Sequence, residues 1–403
     1  MASRIASFQL KDTELDLQEI GNRLNVGTVL SGSVRKAGDR VRVTAQLVNV
    51  ADGYHLWSDR YDRKLEDIFA IQDEITESIV DALQVAFGPG EKPGKSKKQS
   101  EKGTTDVQAY DYYLKGRQFF YQFRKDGFDF ARQMFARAIV IDPKYARAYA
   151  GVADCCSFLY MYFEATDDNL REAERASRQA VEMNPESAEA HASRGLALAL
   201  SKEFEEARRE FERAIELDPK LYEAYYFFAR SLFAQGELEE AAAMFEQAAE
   251  INPEDYQAPL FAAQALKALN RPAAKKQYRR TLDVIERHLE LNPDDARATY
   301  LGASALIALD EREKALQWAR KASVIDPHNP ATLYNVACAY SQLGETERAI
   351  DCLEESVVNG MSEIGWLDND PDLDSLREEP RFKELLENVR KRSASSSSGT
   401  ESS

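Results

Sequence analysis

The residues of this 403-residue chain best suited to chemistry are four cysteines, four histidines and one Gly-Lys-Ser triplet. Cys155, Cys156, Cys338 and Cys352 form no CxxC pair and share no ligand spacing with a histidine. Neither a zinc site nor a disulfide framework is expected from them, and a reducing compartment, the cytoplasm, is. Buried, small and apolar is the role such thiols usually fill. His55, His191, His288 and His328 stand in no HExxH or nucleophile-elbow context. His191 and His288 read instead as packing residues of helices.

The run Gly90-Glu91-Lys92-Pro93-Gly94-Lys95-Ser96 approaches a phosphate-binding loop. That loop needs a glycine where Pro89 stands, an apolar strand before it and a helix after it. A helical pattern precedes the run and a lysine-rich stretch follows it, so residues 88–106 read as a flexible linker. No kinase glycine loop, HRD or DFG occurs. Adjacent carboxylates such as Glu239-Glu240 and Glu354-Glu355 fit solvated helix faces. The chain therefore reads as non-enzymatic, with no catalytic, metal or cofactor residue expected.

Lys plus Arg number 52 against 69 Asp plus Glu, a formal net charge of −17. Such a chain repels phosphate backbones, so nucleic acid is not an expected partner. No stretch approaches the ~20 apolar residues of a membrane span. The opening Met1–Ser7 lacks an apolar core of signal-peptide length.

What organises the chain is a repeat. Asp142-Pro143, Asn184-Pro185, Asp218-Pro219, Asn252-Pro253, Asn292-Pro293 and Asp326-Pro327 place successive prolines 42, 34, 34, 40 and 34 residues apart. Proline disfavours helix at the residue before it and donates no backbone hydrogen bond, so each dipeptide ends a helix. Between prolines the pattern recurs: Gly195, Leu198, Ala207, Phe211 and Ala214 in one interval, then Ala229, Leu232, Ala241, Phe245 and Ala248 in the next. Small residues let two helices approach, and offsets of three and four keep the set on one face. The two long intervals predict longer loops between paired helices, near residues 160–168 and 270–277.

These residues resemble the tetratricopeptide repeat, with small residues, an aromatic and a proline at its characteristic positions, over about seven helix pairs. The resemblance implies a mainly α, right-handed helical solenoid whose first helices line a concave protein- or peptide-binding face. The positions it would turn to that face hold Glu223, Tyr226, Arg230 and Phe233, then Gln257, Leu260, Gln264 and Lys267. Arg297, Tyr300, Ser304 and Ile307 follow, then Tyr334, Cys338 and Ser341. Tyr226, Arg230, Phe233, Gln264, Lys267, Arg297, Tyr300, Ser304 and Tyr334 are the expected contacts, aromatics and Arg being strong contributors to binding. The Lys/Asn pair with which some members hold chaperone tails is missing; Asn335 matches one such position alone.

Residues 1–87 differ. A helical pattern near Leu15–Val26 precedes two alternating β-branched runs, Thr28 to Arg35 and Arg40 to Val50, joined by Ala37-Gly38-Asp39. Leu65 to Leu83 then has helical apolar spacing. The runs VLSGSVRKAGDRVRVTAQLVNVADGYHLWSDRYDR and EDIFAIQDEI resemble the second half of a TolB-amino-terminal-like (FlgO-like) α/β domain. In bacteria that domain adjoins tetratricopeptide repeats in adenylate cyclases, serine/threonine kinases and transcriptional regulators. The resemblance implies a regulatory part of such a signalling protein, or a free-standing adaptor. The family's opening strand has no counterpart here, which leaves a sheet edge open and implies a homodimer through it. The expected domains are thus 1–87 α/β, 88–106 linker, 107–363 repeats, 364–392 a capping helix and 393–403 a disordered serine-rich tail.

Overall fold

A computed structural model describes residues 16, 19–21, 26–37, 40–64, 103–361 and 364–398. The helical patterns assigned to Leu15–Val26 (in large part) and Leu65–Leu83, the Gly90–Ser96 run and most of the linker lie outside the described residues, as do 399–403. The chain divides into two compact units, Met1–Pro219 and Lys220–Ser403. The division falls within the repeats rather than between the front segment and the repeats.

In the first unit, β1 (Thr28–Ala37), β2 (Arg40–Asn49) and β3 (His55–Lys64) form an antiparallel sheet in that order. Alternation gives the sheet an apolar side, with Val41, Ala45, Leu47 and Tyr61 buried. On its other side Asp62 accepts from both Arg40 (2.7 Å) and Arg42 (2.6 Å).

Three helix pairs follow: α1 (Val107–Phe120) with α2 (Lys125–Ile141), α3 (Ala146–Tyr162) with α4 (Asp167–Met183), and α5 (Ala188–Leu200) with α6 (Phe204–Leu217). The second unit holds α7 (Tyr222–Gln235) with α8 (Leu238–Ile251), α9 (Gln257–Ala268) with α10 (Ala273–Leu291), α11 (Ala296–Ala308) with α12 (Arg312–Ile325), and α13 (Pro330–Gln342) with α14 (Thr346–Val358). Seven pairs are what the proline phase predicts.

The Asp or Asn of each Asp-Pro or Asn-Pro is the C-cap of the second helix of its pair: Asp142, Asn184, Asp218, Asn252, Asn292 and Asp326. Asp106, Thr166, Ser187, Asp295 and Asn329 cap helix N-termini with side-chain oxygens, satisfying backbone donors the helix itself cannot. Within six of the pairs the turn contains one left-handed residue: Phe123, Lys202, Gly236, Asn270, Asp310 or Gly344. The residue after it often donates back to the first helix, as Glu203 to Leu198 and Glu311 to Leu306, at 2.9 Å each.

Packing follows the small–large pattern. The Phe135 ring sits where a Cβ on Gly116 or Gly151 would come within 2.5 or 2.7 Å of it, and Phe211 stands likewise against Gly195. Those glycines are fixed by close approach, not by turn geometry.

Three expectations are corrected. The extra residues of the long intervals are mostly helical, not loop. Helices α3 and α4 have 17 residues each against 13 and 14 in α5 and α6, and α10 reaches 19. Extra turns continue the backbone hydrogen-bond ladder, which a loop would leave to solvent. The cap is not one helix but α15 (Ile364–Asn369), a 3₁₀ helix (Pro371–Leu376) and α16 (Pro380–Ser398). Pro371 and Pro380 each open an element, the position proline tolerates best. The last helix runs through residues 393–398, the part of the serine-rich tail that is described.

Candidate functional site

All nine expected contacts lie in the second unit, on the first helices of its pairs. Three of them, all tyrosines, are buried, and a fourth, Arg297, is half-buried and bonded to its neighbours. Tyr226 (3% exposed) and Tyr300 (6%) are buried. The Tyr226 ring stacks on Tyr222 at 5.3 Å and lies 5.9 Å from Phe245. Its hydroxyl donates to Gln257 Oε1 at 3.4 Å. The same oxygen accepts from Arg297 Nη2 at 2.7 Å, and Arg297 Nη1 donates to the Tyr300 hydroxyl at 3.4 Å. Gln257 thus joins three expected contacts into one internal network.

Carboxylates complete it. Asp255, just before the N-cap of α9, accepts from the Ala258 N–H at 2.6 Å. Burial raises its pKa, against the pull of that bond and of Tyr222. Asp295 caps α11 through the Ala298 N–H and bonds His288 Nε2 at 2.8 Å. Burial alone would raise it, but the His288 bond and the backbone donor hold it below the usual value. Arg297 lowers both carboxylates. His288 is therefore a helix-end partner, in keeping with a packing role. His191 is similar: its ring meets Glu210 Oε2 at 2.5 Å and the Pro185 carbonyl at 2.8 Å.

Tyr334 (5% exposed) faces the cap. Its hydroxyl donates to Asp370 Oδ2 at 2.7 Å, the Cys338 thiol reaches the same oxygen at 3.7 Å, and Ser341 Oγ meets Ser375 Oγ at 2.8 Å. The three positions expected on the binding face of α13 are therefore occupied by the chain's own Asp370–Leu376 segment. Leu367, Leu373, Leu376 and Phe382 are fully buried beside them. Burial, then the Asp370 charge, keeps the Cys338 thiol protonated. Burial and the neighbouring Asp370 push Asp372 up to about 6. Cys338, Asp370 and Asp372 have ligand atoms within 4.8 Å of one another, and among the described residues they are the group that could share a cation. In the structure Asp370 is approached by both neighbours, the Cys338 thiol reaching its Oδ2 at 3.7 Å and the Asp372 N–H donating to its Oδ1 at 2.9 Å.

The remaining expected contacts are more open. The Arg230 guanidinium lies over the Phe261 ring at 4.6 Å, and Phe233 is half-buried, 6.4 Å from Phe245. Gln264 and Ser304 are half-buried and Lys267 is exposed. None of these three makes a side-chain hydrogen bond among the described residues. The repeat phase finds the side of the helix but misses Asp255, Phe261 and Asp370. Only the Asp-Pro at 370–371, read as a helix start, could have pointed to the last.

Tetratricopeptide-repeat family models match residues 166–222, 222–255 and 330–357. These are tetratricopeptide repeats. Among curated proteins the chain is similar to "Putative adenylate cyclase 3" of Rhizobium meliloti (strain 1021), 36% identical over 205 residues, half of this chain and 34% of that protein. The chain thus spans about a third of that relative's length. Among solved structures, a monomeric mutant of IFIT1 with m7Gppp-AAAA shares the fold, with a TM-score of 0.51, 17% identity and coverage of 71% of this chain and 72% of that one. YrrB, described as a TPR protein with an unusual peptide-binding site, has a TM-score of 0.33 and 24% identity, over 46% of this chain and 92% of that one. The tetratricopeptide fold makes this chain a protein-interaction scaffold. Among the described residues no helix is long and apolar enough to cross a membrane.

Proposed function

We propose that this chain binds a peptide or protein through the first helices α7, α9 and α11, as the regulatory arm of a bacterial cyclase-type signalling protein acting in the cytoplasm. The observation that carries the binding reading is the division among the expected contacts. The tyrosines are consumed internally, whereas Gln264, Lys267 and Ser304 stand partly or fully exposed with no hydrogen-bond partner of their own among the described residues. Arg297 ties α11 to α9 through Gln257, so Gln264 and Ser304 project from helices held in fixed register. Arg230 and Phe233 flank them on α7. Polar groups so placed, beside a partly open aromatic, suit recognition of an extended peptide.

The signalling reading draws on the Rhizobium relative and on the likeness of the front segment to half of a TolB-amino-terminal-like domain. The four cysteines are all unpaired, in keeping with a reducing compartment. The net charge of −17 disfavours nucleic acid as the partner. The test is a pull-down from bacterial lysate with the full chain and with a Gln264→Ala/Lys267→Glu variant, read by mass spectrometry. A partner held by the wild type and released by the variant supports the reading. A partner held equally by both moves binding away from these helices.

A further inference from the structure

Among the described residues the sheet has two edges, β1 and β3, and they are unlike. β3 carries Asp59, Arg60, Asp62, Arg63 and Lys64 within ten residues, and charge on an edge strand discourages pairing with another chain. β1 has no charged residue from Thr28 to Val34. Its Leu30 and Val34 are 51% and 67% exposed. Both share the sheet side on which β2 is buried, Leu30 opposite Leu47 and Val34 opposite Val43. The apolar side thus continues onto β1, but its burial does not.

The backbone of β1 is directed as well. The Gly27 carbonyl accepts from the Val50 N–H at 3.0 Å, and the β1–β2 register runs without a shift from Thr28↔Asn49 to Ala37↔Arg40. Alternation then turns the odd-numbered residues of β1 toward β2, and the N–H and C=O of Thr28, Leu30, Gly32, Val34 and Lys36 outward.

We propose that this edge pairs with β1 of a second copy of the chain, antiparallel about a two-fold axis at Gly32. This register sets Gly32 against Gly32 of the second copy, Leu30 against its Val34, Thr28 against its Lys36, and, on the opposite side of the sheet, Ser31 against its Ser33 and Arg35 against its Val29. Every outward group meets an outward group, the exposed Leu30 and Val34 meet each other, and no like charges face each other. A one-residue shift sets outward groups against inward ones. A two-residue shift sets Leu30 or Val34 against glycine, and in one direction it also shortens the overlap. A Cβ on Gly32 would stand 2.2 Å from the Thr44 carbonyl oxygen, so the axis residue stays bare and the two backbones meet there unhindered. The contact is isologous, as a two-fold requires. It uses only the sheet and is independent of the peptide-binding reading.

One strand pair is small beside the ~1,600 Å² of a standard interface, so the dimer forms with rising concentration. Light scattering of the full chain at loading concentrations from about 1 to 200 µM reads the mass directly. The expected result is a rise from 45.5 kDa toward twice that value, with Val34→Lys remaining at the single-chain mass and its melting curve unchanged. A wild type that stays monomeric throughout overturns the proposal, as does a Val34→Lys chain that still dimerises. Ser31→Cys and Ser33→Cys chains, mixed and oxidised beside each alone and the wild type, test the register. A disulfide-linked dimer is expected in the mixture above all three controls, and its absence overturns the axis at Gly32.

Discussion

The first and last helix pairs close their cores by different means. Around α1 and α2 the closure is aromatic. Phe120, Phe123, Phe128, Phe158 and Tyr162 meet at centroid distances of 5.2 to 5.9 Å, and Phe135 lies against two glycines. Around α13 and α14 closure comes from the chain's own cap: buried leucines and Phe382, with a row of polar bonds from Tyr334 and Ser341 to Asp370 and Ser375. Arg381 adds bonds to Glu347, Asp351 and Glu354 on α14. The phenylalanine rings of the first end have no titratable part, whereas the cap carries paired carboxylates in a half-buried setting. The first end should respond to lost volume alone, and the second to both volume and pH.

The largest effect belongs to the aromatic end. Phe135→Ala removes a fully buried ring from glycine surfaces that cannot collapse onto the gap, and is expected to cost about 3–5 kcal/mol by urea unfolding. Phe382→Ala in the cap should cost slightly less, about 3 kcal/mol, because the end of the array has more freedom to settle. A cap variant that costs more than the Phe135 variant would reverse the comparison. Tyr334→Phe keeps the ring and deletes the donor to Asp370, for an expected loss of about 1–2 kcal/mol. A neutral result would mean that leucines alone hold the cap.

The smallest effect is the most specific. Asp372 has a folded pKa raised from 3.8 to about 6. Between those values the folded chain holds the proton more tightly than the unfolded one, so this group's contribution to stability falls as pH rises from about 4 to 6. Asp370 and Asp374 oppose its ionisation and Lys267 favours it. Asp372→Asn is expected to flatten that slope and to stabilise the chain at pH 7 by about 1 kcal/mol. A melting profile between pH 4 and 7 identical to wild type would place the carboxylate in open solvent instead.

The pair count and the packing of Phe211 and Phe245 were legible in the sequence, because proline phase and small–large alternation are local rules. Depth was not. Spacing shows that Tyr226 and Tyr300 share a helix side with Gln264 and Ser304. It does not show that Gln257 and Arg297 draw the tyrosine hydroxyls inward while Lys267 stays in water. Nor does it separate a longer loop from a longer helix, since α10 and a short helix with a loop fill the same interval. The cap's hold on Tyr334 depends on residues 36 positions apart, beyond the reach of any repeat pattern.

The left-handed residue in the turns sets where this chain can absorb mutation. At Gly236 and Gly344 any side chain adds a backbone penalty of about 1 kcal/mol. At Lys202, Asn270 and Asp310 that penalty is already present, so exchange among polar residues there is close to neutral and glycine is a gain. Phe123 carries the same backbone but packs within 5.5 Å of Phe128, Phe158 and Tyr162, so its side chain cannot be spared. The turn from α3 to α4 has no left-handed residue and escapes the rule. Tolerance to substitution should therefore rise and fall along the chain with the period of the turns, interrupted at that one pair.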